Sequence, residues 1–197
     1  MDDSDKLTLP SLELERAVGQ CILMWSGVEF SLSILFDAIL DTRRPVAHAT
    51  LAAVRSFDAR LKMIGDAFNA RFPDKDSPPR PDWKLLYNTC SSYNALRNQV
   101  AHALHIVASH NGEVKPTLEP YFVLTQEKSR IDAAEVNLRT AKFHSLRACI
   151  DWLIWAIEHP EPPTGFEREV PHLLLQLRDE AAQRRAKQQR PRRSSRP

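Results

Sequence analysis

Cysteine is scarce and scattered: Cys21, Cys90 and Cys149 are odd in number, far apart and each set in a helical pattern. That excludes a disulfide framework and a paired-cysteine zinc motif, and leaves them as core or helix-contact residues. Glycine is equally thin, five in 197 residues, and no Gly-rich phosphate loop can be built from them. No stretch reaches the roughly twenty unbroken apolar residues of a transmembrane helix, because Glu29 and Asp37 interrupt the best candidate and Asp151 the next. The opening Met-Asp-Asp-Ser-Asp-Lys has neither the basic start nor the apolar run of a secretory leader. The expected setting is therefore cytoplasmic, with no membrane contact.

What is present fits one domain, since 197 residues at 43% hydrophobic content can supply a sizeable core. After Pro10-Ser11, the spacing of Val18, Ile22, Trp25, Leu32, Leu35, Phe36, Ile39 and Leu40 predicts a first helix, closed by Asp41-Thr42-Arg43-Arg44-Pro45. A second run from Val46 to Phe72 carries Leu51, Val54, Phe57, Leu61, Ile64 and Phe68 at helical intervals and stops at the proline-rich stretch 73–81. A third helix is expected from Asp82, as N-cap, to Val107. Between Ala108 and Thr125 the helical period is lost. Asn111-Gly112 is a tight-turn signal there, and Pro116 and Pro120 restrict any pairing to a small, edge-like hairpin. The last core helix, Ser129 to Glu158, has Leu138, Leu146, Ile150, Leu153 and Ile157 as its spine, widened by Trp152 and Trp155.

The expected fold is all-α: an antiparallel four-helix bundle over residues 1–163, core 11–158, with a small β-hairpin-like insertion after the third helix. A short amphipathic segment, 164–180, with Val170, Leu173, Leu174 and Leu177, follows. Residues 181–197 then carry Arg184, Arg185, Lys187, Arg190, Arg192, Arg193 and Arg196 and no acid, so the overall charge of +2 hides 20 basic against 25 acidic residues in the body. Such a tail is expected to be disordered. It either holds nucleic acid through salt-sensitive phosphate attraction or simply keeps the chain soluble.

From Leu85 to Gly112 the only formally charged residue is Arg97. A helix facing water normally carries several charges, so this stretch reads as a buried or interfacial polar site. On a helix, Tyr87, Ser91, Asn94, Asn98, Ala101, His102 and His105 fall within about 60° of one direction and form a nearly neutral polar stripe. Leu85, Leu96, Val100, Ala103 and Val107 cluster opposite, and Arg97 lies at the edge with a stem long enough to swing inward. Two readings stand: Arg97, Asn98 and His102 satisfy one another's hydrogen bonds in a helix pair, or they form an active site. Glu29, flanked by Ser26 and Ser33, either reaches this stripe or lies on a solvated flank. His102 and His105 share a face at i, i+3 spacing, but no acidic or thiol ligand lies nearby, and no metal or cofactor is expected.

Arg97, four intervening residues and His102 match the Arg-x4–6-His signature of the HEPN superfamily (higher eukaryotes and prokaryotes nucleotide-binding). The run Arg97-Asn98-Gln99-Val100-Ala101-His102 resembles the Arg-Asn-x-x-Ala-His form of many bacterial members. The resemblance covers residues 11–158, but only the motif is specific; the rest is architecture. It implies metal-independent RNA cleavage at a cleft shared by two copies of the chain, in the manner of a toxin or defence effector restrained by an antitoxin or regulatory protein. His102 is then the general acid or base and Arg97 the clamp on the transition state, with Asn98 orienting either, and with Asn94, His105 and Glu29 as supporting candidates. The residue types suit that chemistry: an imidazole titrates near neutrality, and a planar guanidinium holds two phosphate oxygens. One motif supplies one imidazole where acid and base steps call for two, which is why the resemblance points to a homodimer. The alternative is a non-catalytic module that binds nucleotide or RNA, or assembles through the stripe. Members paired with a nucleotidyltransferase antitoxin carry tyrosine two residues after the histidine; Leu104 stands there, so regulation through such a tyrosine is not expected.

Overall fold

A computed structural model describes residues 3–110, 113–120, 130–161 and 168–189. Among these residues six helices and one strand pair follow in order: α1 (Asp3–Leu40), α2 (Arg44–Ala52), α3 (Phe57–Arg71), α4 (Arg80–Ala101), β1 (Ala103–His110), β2 (Glu113–Pro120), α5 (Ala133–Glu158) and α6 (His172–Gln189). The mostly helical bundle with a hairpin insertion agrees with the sequence reading; the count of four helices does not.

The first difference lies in the second run. Ser56 is extended (φ −86°, ψ 139°) and its hydroxyl accepts from the Ala59 amide at 3.1 Å, so it caps a new helix and splits the run into α2 and α3. At the junction with α1, Asp41 adopts a left-handed φ of 51°, a conformation a short polar side chain tolerates, and its amide donates to the Asp37 carbonyl. α1 also starts earlier than expected, continuing N-terminally through Pro10.

The second difference decides the site. α4 begins before Asp82, which lies in its first turn, and ends at Ala101 rather than Val107, with His102 as the C-cap. Ile106 and Val107 favour a pleated strand, and β1 pairs antiparallel with β2 from Ala103↔Pro120 to His110↔Glu113. In two strands both are edges, so Pro116 and Pro120 are accommodated. The expected turn at Asn111-Gly112 lies outside the described residues. Leu118 exchanges backbone bonds with Ile131 (2.8 and 2.9 Å), and both side chains are buried, fastening the hairpin to the bundle just before α5.

α1 and α5 are the most extensively packed pair, and α1 also meets α2, α3 and α4. The helix Pro10–Leu40 contains an 18-residue window of mean hydropathy 1.5, long and apolar enough to cross a membrane by length and composition alone. In the structure, Leu14, Ala17, Cys21, Trp25, Val28, Leu32, Leu35 and Ile39 along that helix are core. The core is aromatic at its centre: Trp25 lies 5.0 Å from both Phe57 and Phe143, and Phe68 stacks on Trp83 at 5.1 Å. α3 and α4 approach closely at Gly65, where a Cβ would meet the Tyr87 ring at 3.1 Å.

α6 corrects the expectation for the tail. It continues the amphipathic segment through Gln189, so Arg184, Arg185 and Lys187 are helical. Leu174 is fully buried, and Arg178 grips Asp82 with two bonds of 2.8 and 2.7 Å while lying over the Trp152 ring. Arg190, Arg192, Arg193 and Arg196 lie outside the described residues.

Candidate functional site

Arg97 swings inward, as its position at the stripe's edge allows. Its guanidinium donates to Glu29 Oε1 at 3.2 Å and to Asn98 Oδ1 at 2.8 Å, and lies 5.8 Å over the Trp25 ring. Glu29 is therefore not on a solvated flank. Its Oε1 also accepts from Trp25 Nε1 at 2.8 Å, and its Oε2 from Arg60 at 3.3 Å. The three charged side chains are each about a quarter exposed (23% for Glu29 and Arg97, 28% for Arg60). One carboxylate thus sits between two guanidiniums, and the group keeps a net positive charge within reach of solvent.

The helix ends fix these side chains. Glu29 and Trp25 are one turn apart on α1, Arg60 projects from α3 one turn after the Ser56 cap, and Arg97 comes from the last turn but one of α4. Arg139 of α5, itself buried and paired with Glu135 at 2.9 Å, donates to the Leu96 carbonyl at 3.1 Å and holds the α4 backbone beside Arg97. His102 donates its amide to the Asn98 carbonyl at 3.1 Å and presents an exposed imidazole where the helix stops. Arg97 and Asn98 therefore sit in the last two turns of α4, the guanidinium turned onto Glu29, and His102 follows as the exposed C-cap.

The polar stripe does not survive as one surface. Tyr87 packs edge-on to Trp83 and against Gly65, and the buried Asn94 donates to Asp58 Oδ1 of α3 at 3.3 Å, so this part of the stripe faces α3 within the same chain. Asn94 Oδ1 is buried and meets no donor among the described residues. His105 is not on the helix at all: it lies on β1 opposite Leu118, exposed, and shares no helical face with His102. Among the described residues no three His, Cys, Asp or Glu side chains group to hold a metal ion.

Arg60, Trp25 and Asp58 were missed by the sequence reading. Arg60 had a signal: a charged residue on the face shared by Phe57, Leu61 and Ile64 needs a partner inside. On the opposite side of α4, Arg184 and Arg185 of α6 line a groove of about 1360 Å³ together with Lys62, Arg80 and Lys84. Arg184 also reaches Glu180 of its own helix at 3.0 Å.

No protein-family model, no curated protein and no solved structure matches this chain.

Proposed function

We propose that the chain is a HEPN-like, metal-independent endoribonuclease with Arg97 and His102 at its centre. The observation that carries this reading is the arrangement of the α4 terminus, where Glu29 and Asn98 hold Arg97 in place while the imidazole of His102 stands exposed one turn on. A ribose 2′-hydroxyl loses its proton to an imidazole and attacks the adjacent phosphorus. The P–O5′ bond breaks, the leaving 5′-oxygen is protonated by a second imidazole, and the products are a 2′,3′-cyclic phosphate and a 5′-hydroxyl. Arg97 neutralises the charge that builds on the phosphorane. The second His102 comes from another copy of the chain, and Leu12, Leu23 and Phe30, exposed along one face of α1, supply apolar surface for that meeting. A toxin or defence effector in the cytoplasm, held by an antitoxin or regulatory partner, is the setting that fits.

The reading of a non-catalytic binding or assembly module has one observation in its favour: the Arg97 guanidinium is already engaged by Glu29 and Asn98 within its own chain. The test is incubation of wild type, Arg97→Gln and His102→Ala with labelled single-stranded and transfer RNA in excess EDTA. His102 is exposed, so its loss should move stability by no more than about 0.5 kcal/mol. Cleavage leaving 2′,3′-cyclic ends should fall about 100-fold or more in His102→Ala. Wild type that cuts none of these RNAs overturns the nuclease reading and leaves the binding module.

A further inference from the structure

The groove of about 1360 Å³ between α3, α4 and α6 is lined by seven basic side chains and four acidic ones, although the chain before residue 181 carries 20 basic against 25 acidic residues. Three of the four acids are matched within the groove: Asp66 by Lys62, Asp82 by Arg178 and Glu180 by Arg184. The fourth, Asp76, has Lys75 as its chain neighbour. Arg80, Lys84 and Arg185 remain. The Arg80 guanidinium donates to the Asn69 and Phe72 carbonyls at the end of α3, which fix it without neutralising it. Lys84 and Arg185 are exposed and meet no carboxylate among the described residues.

From Lys84 the open face of α4 continues as Asn88, Ser91, Ser92, Ala95 and Gln99, all exposed and none charged. Solvated helix faces normally carry several charges, so this one is marked as a contact surface. His102 follows Lys84 by about five full helical turns and so stands at the far end of the same face. We infer that a single RNA strand lays its phosphates on Arg80, Lys84 and Arg185 in the groove and runs along this uncharged lane to His102; the choice of RNA rests on the nuclease reading. Unneutralised cations attract phosphates, and the amides and hydroxyls of the lane bond base edges without repelling the backbone. Packed helices lie 8–10 Å apart, so the opening between α3 and α6 across α4 is no more than about 10 Å, which admits one strand and not a double helix. The lane from Lys84 to His102 is about 27 Å long, the length of about eight stacked nucleotides. An acidic peptide matches the charge of the groove but draws nothing from the lane.

Fluorescence anisotropy of the full chain with a labelled 2′-O-methyl RNA strand of about twelve nucleotides reads binding alone, because that strand has no 2′-hydroxyl with which to attack. Lys84→Gln with Arg185→Gln should weaken binding about 10-fold or more and flatten the slope of log affinity against log salt by about 1.4. Ala95→Glu, in the middle of the lane, should weaken it about 5-fold or more. Arg16→Gln with Arg55→Gln, an equal loss of charge off the groove, should leave it within about 2-fold. Every substituted residue is exposed, so the circular dichroism spectrum should not change. A duplex of the same sequence and a polyglutamate of matching charge should each bind at least about 10-fold more weakly. No saturable binding up to about 50 μM, an equal hold on the duplex or on polyglutamate, or a groove pair or lane variant that binds like wild type would overturn the inference. Wild type that binds the strand in this way but cuts no RNA overturns the nuclease reading alone.

Discussion

Replacing Glu29 by glutamine changes almost no volume but removes the anion between two guanidiniums. The amide oxygen can still accept from one arginine, yet its NH2 must then face the other, so at least one charge-assisted bond is lost and two cations lose their shared counter-charge. Such bonds contribute about 1.5–3 kcal/mol each when shielded. With the three side chains about a quarter exposed, solvent screening brings the sum to the order of 2–3 kcal/mol. For a chain of this size that is a fall of about 4–12 °C in the melting midpoint. Thermal melts by circular dichroism should show it, and Lys62→Ala, which breaks an exposed pair with Asp66, should leave the midpoint in place. A double-mutant cycle with Arg97→Gln should return a coupling of about 1 kcal/mol or more. A midpoint within about 1 °C of wild type would refute the view of Glu29 as the carboxylate that orders Arg97 and Arg60.

Burial pushes the Cys90 thiol up to about 12 and the Cys149 thiol up to about 11. The stability that this contributes is complete below the usual thiol range and is lost as the pH rises from about 9 through 11–12, so the melting midpoint should drop over that window. Neither thiol should react with a disulfide reagent at pH 8 until the chain is unfolded. Arg178→Ala removes both bonds to Asp82 and leaves a nearly buried carboxylate unpaired; with Arg178 itself partly exposed, the loss should be about 2–3 kcal/mol. Hydrogen exchange should then localise the loosening to α6.

The sequence showed the helical class, the hairpin, the amphipathic segment that docks α6, and the motif residues themselves. Periodicity failed where a local signal competed with it. The run Val46–Phe72 keeps its helical spacing across a break that only the Ser56 cap reveals. Ala103 to Val107 continue the apolar pattern of α4 while pairing as a strand, because short apolar segments satisfy both periods. That one misplacement put His105 on the wrong element. The inward turn of Glu29 was harder to read, since exposed glutamates are common and its two arginines come from elements 31 and 68 residues away. Long-range partners of this kind carry no mark in one chain's local spacing.

The bidentate Arg178–Asp82 grip gives the basic end of the chain a mechanical character. Arg184, Arg185 and Lys187 ride on a helix bolted to the first turn of α4, the same rod whose last turn but one carries Arg97 and whose end presents His102. At 1.5 Å per residue the two ends of that rod are about 33 Å apart. A load on α6 therefore enters at one end of a stiff strut whose other end carries the motif.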